Sequence, residues 1–315
     1  METPVLTIIV PVYNHEKYVL KALQSIEMQN IGYSYEVIVG EDCSTDRSKE
    51  ILQRYQENAL ENYYFIYRDS NLGMLNNISD LFYKAKGKYI IILEGDDYWI
   101  YENKINEQIS FLEANMMYSG YAHSVIVVDS DGQDSGMPYV QEKGKGIYNI
   151  KDYLHGLLPG QTASFMYRNY FAERMLFQYL GNNTMYPLDR FIAFVVASRG
   201  EIYCTDKKWS AYRYITCGGS SFSANIDGKS DAFARSALLY HKSLYEYTLC
   251  EKCGRDCVKI SEKLYYRSFL RDWVTSEKRE FKKMLCEFKK VRYPFATFSW
   301  MFIQFICLLL KGKGK

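Results

Sequence analysis

The stretch from Lys88 to Trp99, KYIIILEGDDYW, most constrains what this chain can fold into. Tyr89, Ile90, Ile91, Ile92 and Leu93 form an apolar run with no polar break, which is how a strand buried on both faces of a parallel sheet reads. Glu94, Gly95, Asp96 and Asp97 follow at once, so acids stand at the carboxyl end of a central strand, where open α/β sheets bind their ligands. Adjacent carboxylates repel unless something positive lies between them, and a hard divalent cation with oxygen ligands is the usual solution. The plainer alternative is a solvated acidic turn that closes the strand.

Upstream, strand and helix alternate. Leu6 to Val10 is a second apolar strand, which Pro11 is expected to stop, with Val12, Tyr13 and Asn14 forming the loop beyond it. Val19, Ala22, Leu23 and Ile26 then recur at the spacing of an amphipathic helix. Glu36 to Val39 is a strand, Glu41 to Ser44 a polar loop, and Thr45 or Asp46 caps a helix running through Tyr55. Tyr64 to Tyr67 is a strand, followed by the Asn71-Leu72-Gly73 turn and a helix placing Ile78, Leu81, Phe82 and Ala85 on one face, ended by Gly87. Such alternation predicts a parallel sheet of right-handed βαβ units with its polar loops at one edge.

At 315 residues and 48% hydrophobic, the chain is long enough for a sizeable core. The net charge is only +2, yet residues 276–315 carry ten Lys and Arg against three Glu, which leaves about −5 on the rest. A basic tail on a mildly acidic body excludes a nucleic-acid binder, whose basic surface would serve the main domain, and fits a membrane surface. The cysteines are scattered, and Met1 to Pro4 runs directly into a strand with no secretory signal, so the expectation is a reduced, cytoplasmic protein. Cys250, Cys253 and Cys257, with His241 nearby, have the first spacing of a zinc knuckle but no distal pair; packing along one helix is the better reading.

TIIVPVYN, VIVGEDCSTDRS, the NLG turn and KGKYIIILEGDDYW together resemble the successive motifs of family 2 glycosyltransferases, especially bacterial enzymes that build surface polysaccharides. The likeness is close over about the first 115 residues and looser to about residue 225. It implies an α/β fold of the GT-A type, Rossmann-like, with a mostly parallel sheet flanked by helices and a helical C-terminal region. Residues 1–225 would form the transferase domain, 1–115 its nucleotide-binding half and 116–225 its acceptor half. The glycine-rich dinucleotide fingerprint is absent, since PVYN follows the first strand, and so is the glycine-rich loop of sugar nucleotidyltransferases.

By this resemblance Pro11, Tyr13 and Asn14 flank the uracil and ribose of a UDP-sugar, while Glu41 and Asp42 accept hydrogen bonds from ribose hydroxyls and the uracil N–H; helix capping is the alternative for these acids. Asn71 and Gly73 belong to the same nucleotide site. Asp96 is assigned to the donor sugar or ribose and Asp97 to direct ligation of Mn²⁺ or Mg²⁺. Trp99 either stacks on a sugar or packs. In the stretch Tyr186-Pro187-Leu188-Asp189-Arg190, Asp189 is the candidate base of an inverting transfer, the alternative being an N-cap or a pair with Arg190. Gln161, Thr162 and Ser164 are expected near the acceptor pocket. His123 is expected to touch substrate or to sit satisfied in the core.

Trp209 to Arg213 resembles a family strand that precedes a His-Gly-Gly loop, but Tyr214 to Ser220 keeps Gly218 and Gly219 and has no histidine. Arg213, Thr216 or the glycine backbone is then left to hold metal or diphosphate. Residues 226–315 read as helical. The apolar run Phe295 to Leu310 would span about 24 Å as a helix against a hydrocarbon core of about 30 Å. With Lys289, Lys290 and Arg292 before it and Lys311, Lys313 and Lys315 after it, the run suits a helix lying in the interface of an anionic membrane, or a buried C-terminal helix. The expected protein is a peripheral transferase on the inner face of the cell membrane, acting from a nucleotide-sugar onto a glycan or lipid-linked glycan. A non-catalytic, membrane-tethered nucleotide- or glycan-binding subunit is the alternative.

Overall fold

The structure, a computed structural model, describes residues 3–171, 176–181, 188–215, 231–275 and 286–299. The chain divides into two compact units, one of Met1–Met175 with Leu188–Ile226 and one of Leu176–Pro187 with Asp227–Lys315.

The first unit is built on one mixed sheet. Its parallel half is β1 (Leu6–Val12), β2 (Tyr35–Glu41), β3 (Tyr63–Tyr67) and β4 (Tyr89–Ile92), in the spatial order β3-β2-β1-β4. Leu6, Ile8, Ile9 and Val10 are fully buried, as are Tyr89, Ile90 and Ile91, because both strands lie inside the sheet with both faces covered. The connecting helices are α1 (Val19–Glu27), α2 (Ser48–Gln56) and α3 (Met74–Lys84). Val19, Ala22, Leu23 and Ile26 of α1 are completely buried, and the valine, leucine and isoleucine side chains removed from water in this way contribute on the order of 1.5–3 kcal/mol each.

Pro11 does not stop β1. The Pro11 carbonyl accepts from the Gly95 amide at 3.2 Å on the β4 side, and β4 has already ended at Ile92. The amide that proline lacks faces the same side, so no ladder bond is lost, and β1 continues to Val12 beside β2. Gly87 likewise does more than end α3, whose last residue is Lys84. The turn after α3 crosses the start of β1: Gly87 N donates to Thr7 Oγ1 at 2.8 Å, Thr7 Oγ1 donates to Glu36 Oε1 at 2.7 Å, and the Lys86 amide donates to that same Glu36 oxygen at 2.7 Å. A Cβ on residue 87 would lie 2.3 Å from the Thr7 backbone nitrogen.

Beyond β4 the sheet changes character. β8 (Met166–Arg168) pairs antiparallel with β4, β6 (Tyr118–Val128) antiparallel with β8, and β9 (Glu201–Arg213) parallel with β6. β5 (Tyr98–Trp99) and β7 (Gly146–Tyr148) each pair antiparallel with β9. Helices α4 (Lys104–Ala114), α5 (Ile150–Leu154) and α6 (Leu188–Arg199) complete the unit.

In the second unit α7 (Asp231–Cys250) and α8 (Arg255–Thr275) pack through residues that include Leu244, Tyr247, Leu264 and Tyr266. The Glu262 carboxylate, fully buried, accepts from the amides of Arg292 and Tyr293 and from the hydroxyls of Thr297 and Tyr245. It thereby caps the segment that begins the C-terminal apolar run. The helices break between Cys250 and Cys257, with Lys252 at φ 51°, so these cysteines do not share one helix as the sequence reading expected. Most of the Phe295–Leu310 run, together with Lys311, Lys313 and Lys315, lies outside the described residues. Among the described residues no helix is long and apolar enough to cross a membrane.

Gly87→Ala should destabilise the protein by about 1–3 kcal/mol, because the added methyl meets backbone rather than a movable side chain. A urea melt showing wild-type stability in this variant would contradict the packing described for this turn.

Candidate active site

The acidic loop after β4 is held from several directions. Leu93 N donates to Ile9 O at 2.9 Å, Asp97 N closes a turn onto Glu94 O at 3.0 Å, and Trp99 N donates to Ser25 Oγ at 3.1 Å. The adjacent aspartates have opposite surroundings. Asp97 is 2% exposed; its Oδ1 accepts from the Arg213 amide at 2.8 Å and its Oδ2 from Gln161 Nε2 at 2.7 Å. Burial, with Asp96 and Glu94 nearby, holds its carboxyl well above the usual carboxylate range. The Asp96 side chain is 16% exposed, takes no hydrogen bond from the described residues, and meets only His15 Nε2, 3.9 Å from its Oδ2. Glu94 is pushed up to about 8 by burial, with Asp96 and Asp189 adding to the rise.

These positions set Asp97 apart from Asp96. Both of its oxygens are taken by protein donors, so it anchors the loop, and the open carboxylate is that of Asp96. Trp99, His123 and Arg213 are likewise engaged by protein partners. Trp99 is 1% exposed and donates Nε1 to Ala163 O at 3.0 Å, so it packs rather than stacking on a sugar. His123, also 1% exposed, points Nδ1 at Ser124 O and packs its ring against Trp209, inside the core. Arg213 donates to the carbonyls of Asp96, Asp129 and Ser130 and lies over the Tyr18 ring, which leaves its guanidinium committed to the loops. Thr216, Gly218 and Gly219 lie outside the described residues, as do Tyr186 and Pro187.

The loops after β1 and β2 are stitched to each other. Asn14, at φ 58°, accepts on Oδ1 from Thr45 N at 2.8 Å, a backbone conformation that asparagine tolerates better than most residues. Asp42 N donates to Val12 O, His15 N to Ser48 Oγ, and Glu16 N to Asp46 Oδ2. Asp46 Oδ1 also accepts from Ser48 N, the first residue of α2, whose N-cap position is taken by Arg47. Glu41 and Asp42 are buried beside Pro11, Tyr13 and Asn14, which are half-buried. Glu41 Oε1 accepts from Ser44 N, whereas its Oε2 is buried with no protein partner. Asp42 Oδ1 accepts from Leu72 N at 2.8 Å, and burial raises its carboxyl above the ordinary value. Asn71 braces this corner, donating to Asp42 O and accepting from Gly73 N. Gly73, at φ 78°, provides the left-handed turn into α3.

Asp189 occupies the first turn of α6, where its Oδ1 accepts from Arg190 N at 2.7 Å. It lines a pocket with Thr162, Gly160, Ile92 and Tyr167, and its negative charge reaches Glu94. Burial raises its carboxyl above the ordinary range, against the opposing charge of Arg190. Sequence reasoning did not assign His15, and it placed Gln161 with the acceptor rather than on Asp97; the signal for His15 was its position directly after PVYN. Among the described residues no group of three His, Cys, Asp or Glu is arranged to hold a metal by itself.

A family model described as glycosyl transferase family 2 matches residues 7–175, more than half of the chain. The chain belongs to glycosyl transferase family 2. Among relatives of this family 2 protein, the uncharacterized protein Rv1520 of Mycobacterium tuberculosis is 28% identical over 205 residues, covering 64% of this chain and 56% of that one. A Bacillus subtilis protein named as a teichuronic acid biosynthesis glycosyltransferase, TuaG, is 30% identical over 132 residues, covering 42% and 51%. The chain thus spans about half the length of the curated relatives it matches. Residues 1–349 of Staphylococcus aureus TarS, solved in complex with UDP-GlcNAc, superpose with a TM-score of 0.58 at 19% identity, over 88% of this chain and 77% of that one. The fold is therefore of the GT-A type, as expected from the motifs.

Gln161→Met removes the side-chain donor on Asp97 and leaves a buried carboxylate half-satisfied. Stability should fall by about 1–3 kcal/mol. An unchanged denaturation midpoint would show that Gln161 does not anchor the acidic loop.

Proposed function

We propose that this chain transfers one sugar from a nucleotide-sugar, a UDP-sugar, to a glycan or lipid-linked glycan with inversion at the anomeric carbon. The observation that carries the reading is Asp189: a carboxylate of raised basicity lining a pocket, with its charge felt by the acidic loop. A base of this kind takes a proton from an acceptor hydroxyl as the new bond forms, and a raised pKa brings it nearer the working pH. Asp42 and the unpartnered Glu41 Oε2 are acceptors suited to ribose hydroxyls and an imide N–H, and a charge-assisted bond of that type is roughly twice as strong as a neutral one. The TarS structure, in complex with UDP-GlcNAc, supports a UDP-linked donor.

The residues present fit a divalent cation. Asp96 has an open carboxylate, its charge adds to the raised proton affinity of buried Glu94, and no lysine or arginine forms an ion pair with either among the described residues. Because no group of three such side chains completes the site among the described residues, donor diphosphate oxygens would have to supply further ligands. Asp96, with Glu94 beside it, would hold Mn²⁺ or Mg²⁺. When bound, such an ion supplies Lewis-acid stabilisation of negative charge on the departing diphosphate. Asp97 and Gln161 hold the loop in shape, and Thr162 borders the pocket where the acceptor hydroxyl meets Asp189.

The C-terminal segment supports contact with an anionic membrane on the cytoplasmic side. Phe295 is 88% exposed, and Lys289, Lys290 and Arg292 beside it are exposed as well. Aromatic and basic side chains together suit a headgroup interface.

Asp189→Asn should lower transfer by about 10²–10⁴-fold while UDP affinity stays unchanged; retained transfer would remove Asp189 from the mechanism. The pH profile adds a second check. The base acts deprotonated, so activity falls as pH drops through its pKa, and Arg190 lowers that pKa. Arg190→Gln should therefore move the acid limb of the rate profile to higher pH, and a limb that stays in place would contradict the assignment.

A further inference from the structure

His15 has a ring that the protein does not use. Its backbone is fully engaged: His15 N donates to Ser48 Oγ at 2.8 Å, and its carbonyl accepts from Tyr18 N and Val19 N at the start of α1. The imidazole has no such role. Nδ1 is buried with no hydrogen-bond partner, and Nε2 faces Asp96 Oδ2 at 3.9 Å, too far for a hydrogen bond. Nδ1 is thus a buried polar atom that the fold leaves unsatisfied, which a purely structural residue has no reason to carry.

The neighbouring backbone is shaped around this ring. A Cβ on Gly95 would lie 2.6 Å from His15 Nδ1 and 3.2 Å from Val12 Cγ2, so only glycine at this point in the acidic loop lets the imidazole lie against it. The side chains of His15 and Asp96 are each 16% exposed, which leaves them open on the same side. For a small divalent ion with bonds of about 2.1 Å, two ligands stand roughly 3 Å apart at right angles and about 4.2 Å apart when opposite. The separation of Nε2 from Oδ2 falls within that span. Two further nitrogen-bearing side chains at the loop are occupied, Arg213 by the carbonyls of Asp96, Asp129 and Ser130 and Gln161 by the carboxylates of Asp97 and Glu94.

We infer that His15 supplies a nitrogen ligand, through Nε2, to the divalent cation that Asp96 holds, and that this imidazole favours Mn²⁺ over Mg²⁺. The inference rests on the donor-site reading given under Proposed function. Mg²⁺ is a hard ion that keeps to oxygen, whereas imidazole is a normal ligand of first-row transition ions. A nitrogen in the coordination sphere therefore raises affinity for manganese relative to magnesium.

The test uses the full chain with UDP and Mn²⁺ and reads electron spin-echo modulation of the bound manganese. Wild type should show ¹⁴N modulation from a directly bound imidazole. His15→Gln should lose it and bind Mn²⁺ about tenfold or more weakly, with a smaller change for Mg²⁺. UDP binding without metal and the melting curve should be unchanged, which separates ligand loss from misfolding; His15→Asn is the second variant if the first does not fold. If manganese binds wild type without ¹⁴N modulation, or the modulation survives in His15→Gln, the His15 assignment is overturned. In that case loss of Mn²⁺ binding in Asp96→Asn would show the donor-site reading standing by itself. If wild type binds no Mn²⁺ in the presence of UDP, both fail together.

Discussion

The site depends on the burial of one carboxylate between two donors. Asp97 takes a hydrogen bond from the Arg213 amide at the end of β9 and another from Gln161 in the loop before β8. Arg213, 116 positions away in sequence, and Gln161, 64 positions away, meet on this one side chain. A charged group withdrawn from water must be compensated, and here the compensation comes from a strand end and an amide that are themselves fixed. The reward is geometric. With Asp97 pinned inside, Asp96 is turned out to the edge of the sheet, Trp99 is seated under the Ala163 carbonyl, and Glu94 lies within electrostatic reach of Asp189.

This arrangement divides the acids by environment. Asp97 is structural, Asp96 is open, Glu94 is pushed toward holding a proton, and Asp189 is raised by its own burial. Clustered carboxylates with raised proton affinity store unfavourable charge that a cation relieves. Glu41 and Asp42 stand apart from that cluster, at the carboxyl end of β2, where Glu41 Oε2 is buried with no protein partner. The loops after β1, β2 and β4 converge because β1 and β4 are hydrogen-bonded neighbours and β2 flanks β1.

Much of the parallel half was legible in the sequence because periodicity alone encodes it. Val19, Ala22, Leu23 and Ile26 face the core as their spacing requires, and the apolar runs at Leu6 and Tyr89 are fully buried strands. The mixed half was less legible. β5 and β8 are two and three residues long, and their places are decided by pairing with distant strands, which no local pattern records. Pro11 misled because the lost amide matters only where a neighbouring strand is present to bond it. Among the site residues, nothing local distinguishes Asp96 from Asp97. Both belong to the tight turn that Asp97 N closes onto Glu94 O, and which one turns inward is decided by Gln161 and Arg213. Trp99, His123 and Arg213 carry chemistry suited to sugars and phosphates, but each has a protein partner that sequence cannot reveal. The cysteines near residue 250 fell on either side of a helix break, which the helical periodicity on both sides concealed.

The central claim is that the loops after β1, β2 and β4 form a donor site whose cation is held by Asp96. Calorimetric titration of UDP into wild type and Asp96→Asn, each with and without Mn²⁺, tests it most directly. The account predicts that Mn²⁺ strengthens UDP binding to wild type and has no effect on Asp96→Asn, while metal-free binding is the same in both. Equal strengthening by Mn²⁺ in the two proteins would contradict it, and so would a wild type that binds no UDP under either condition.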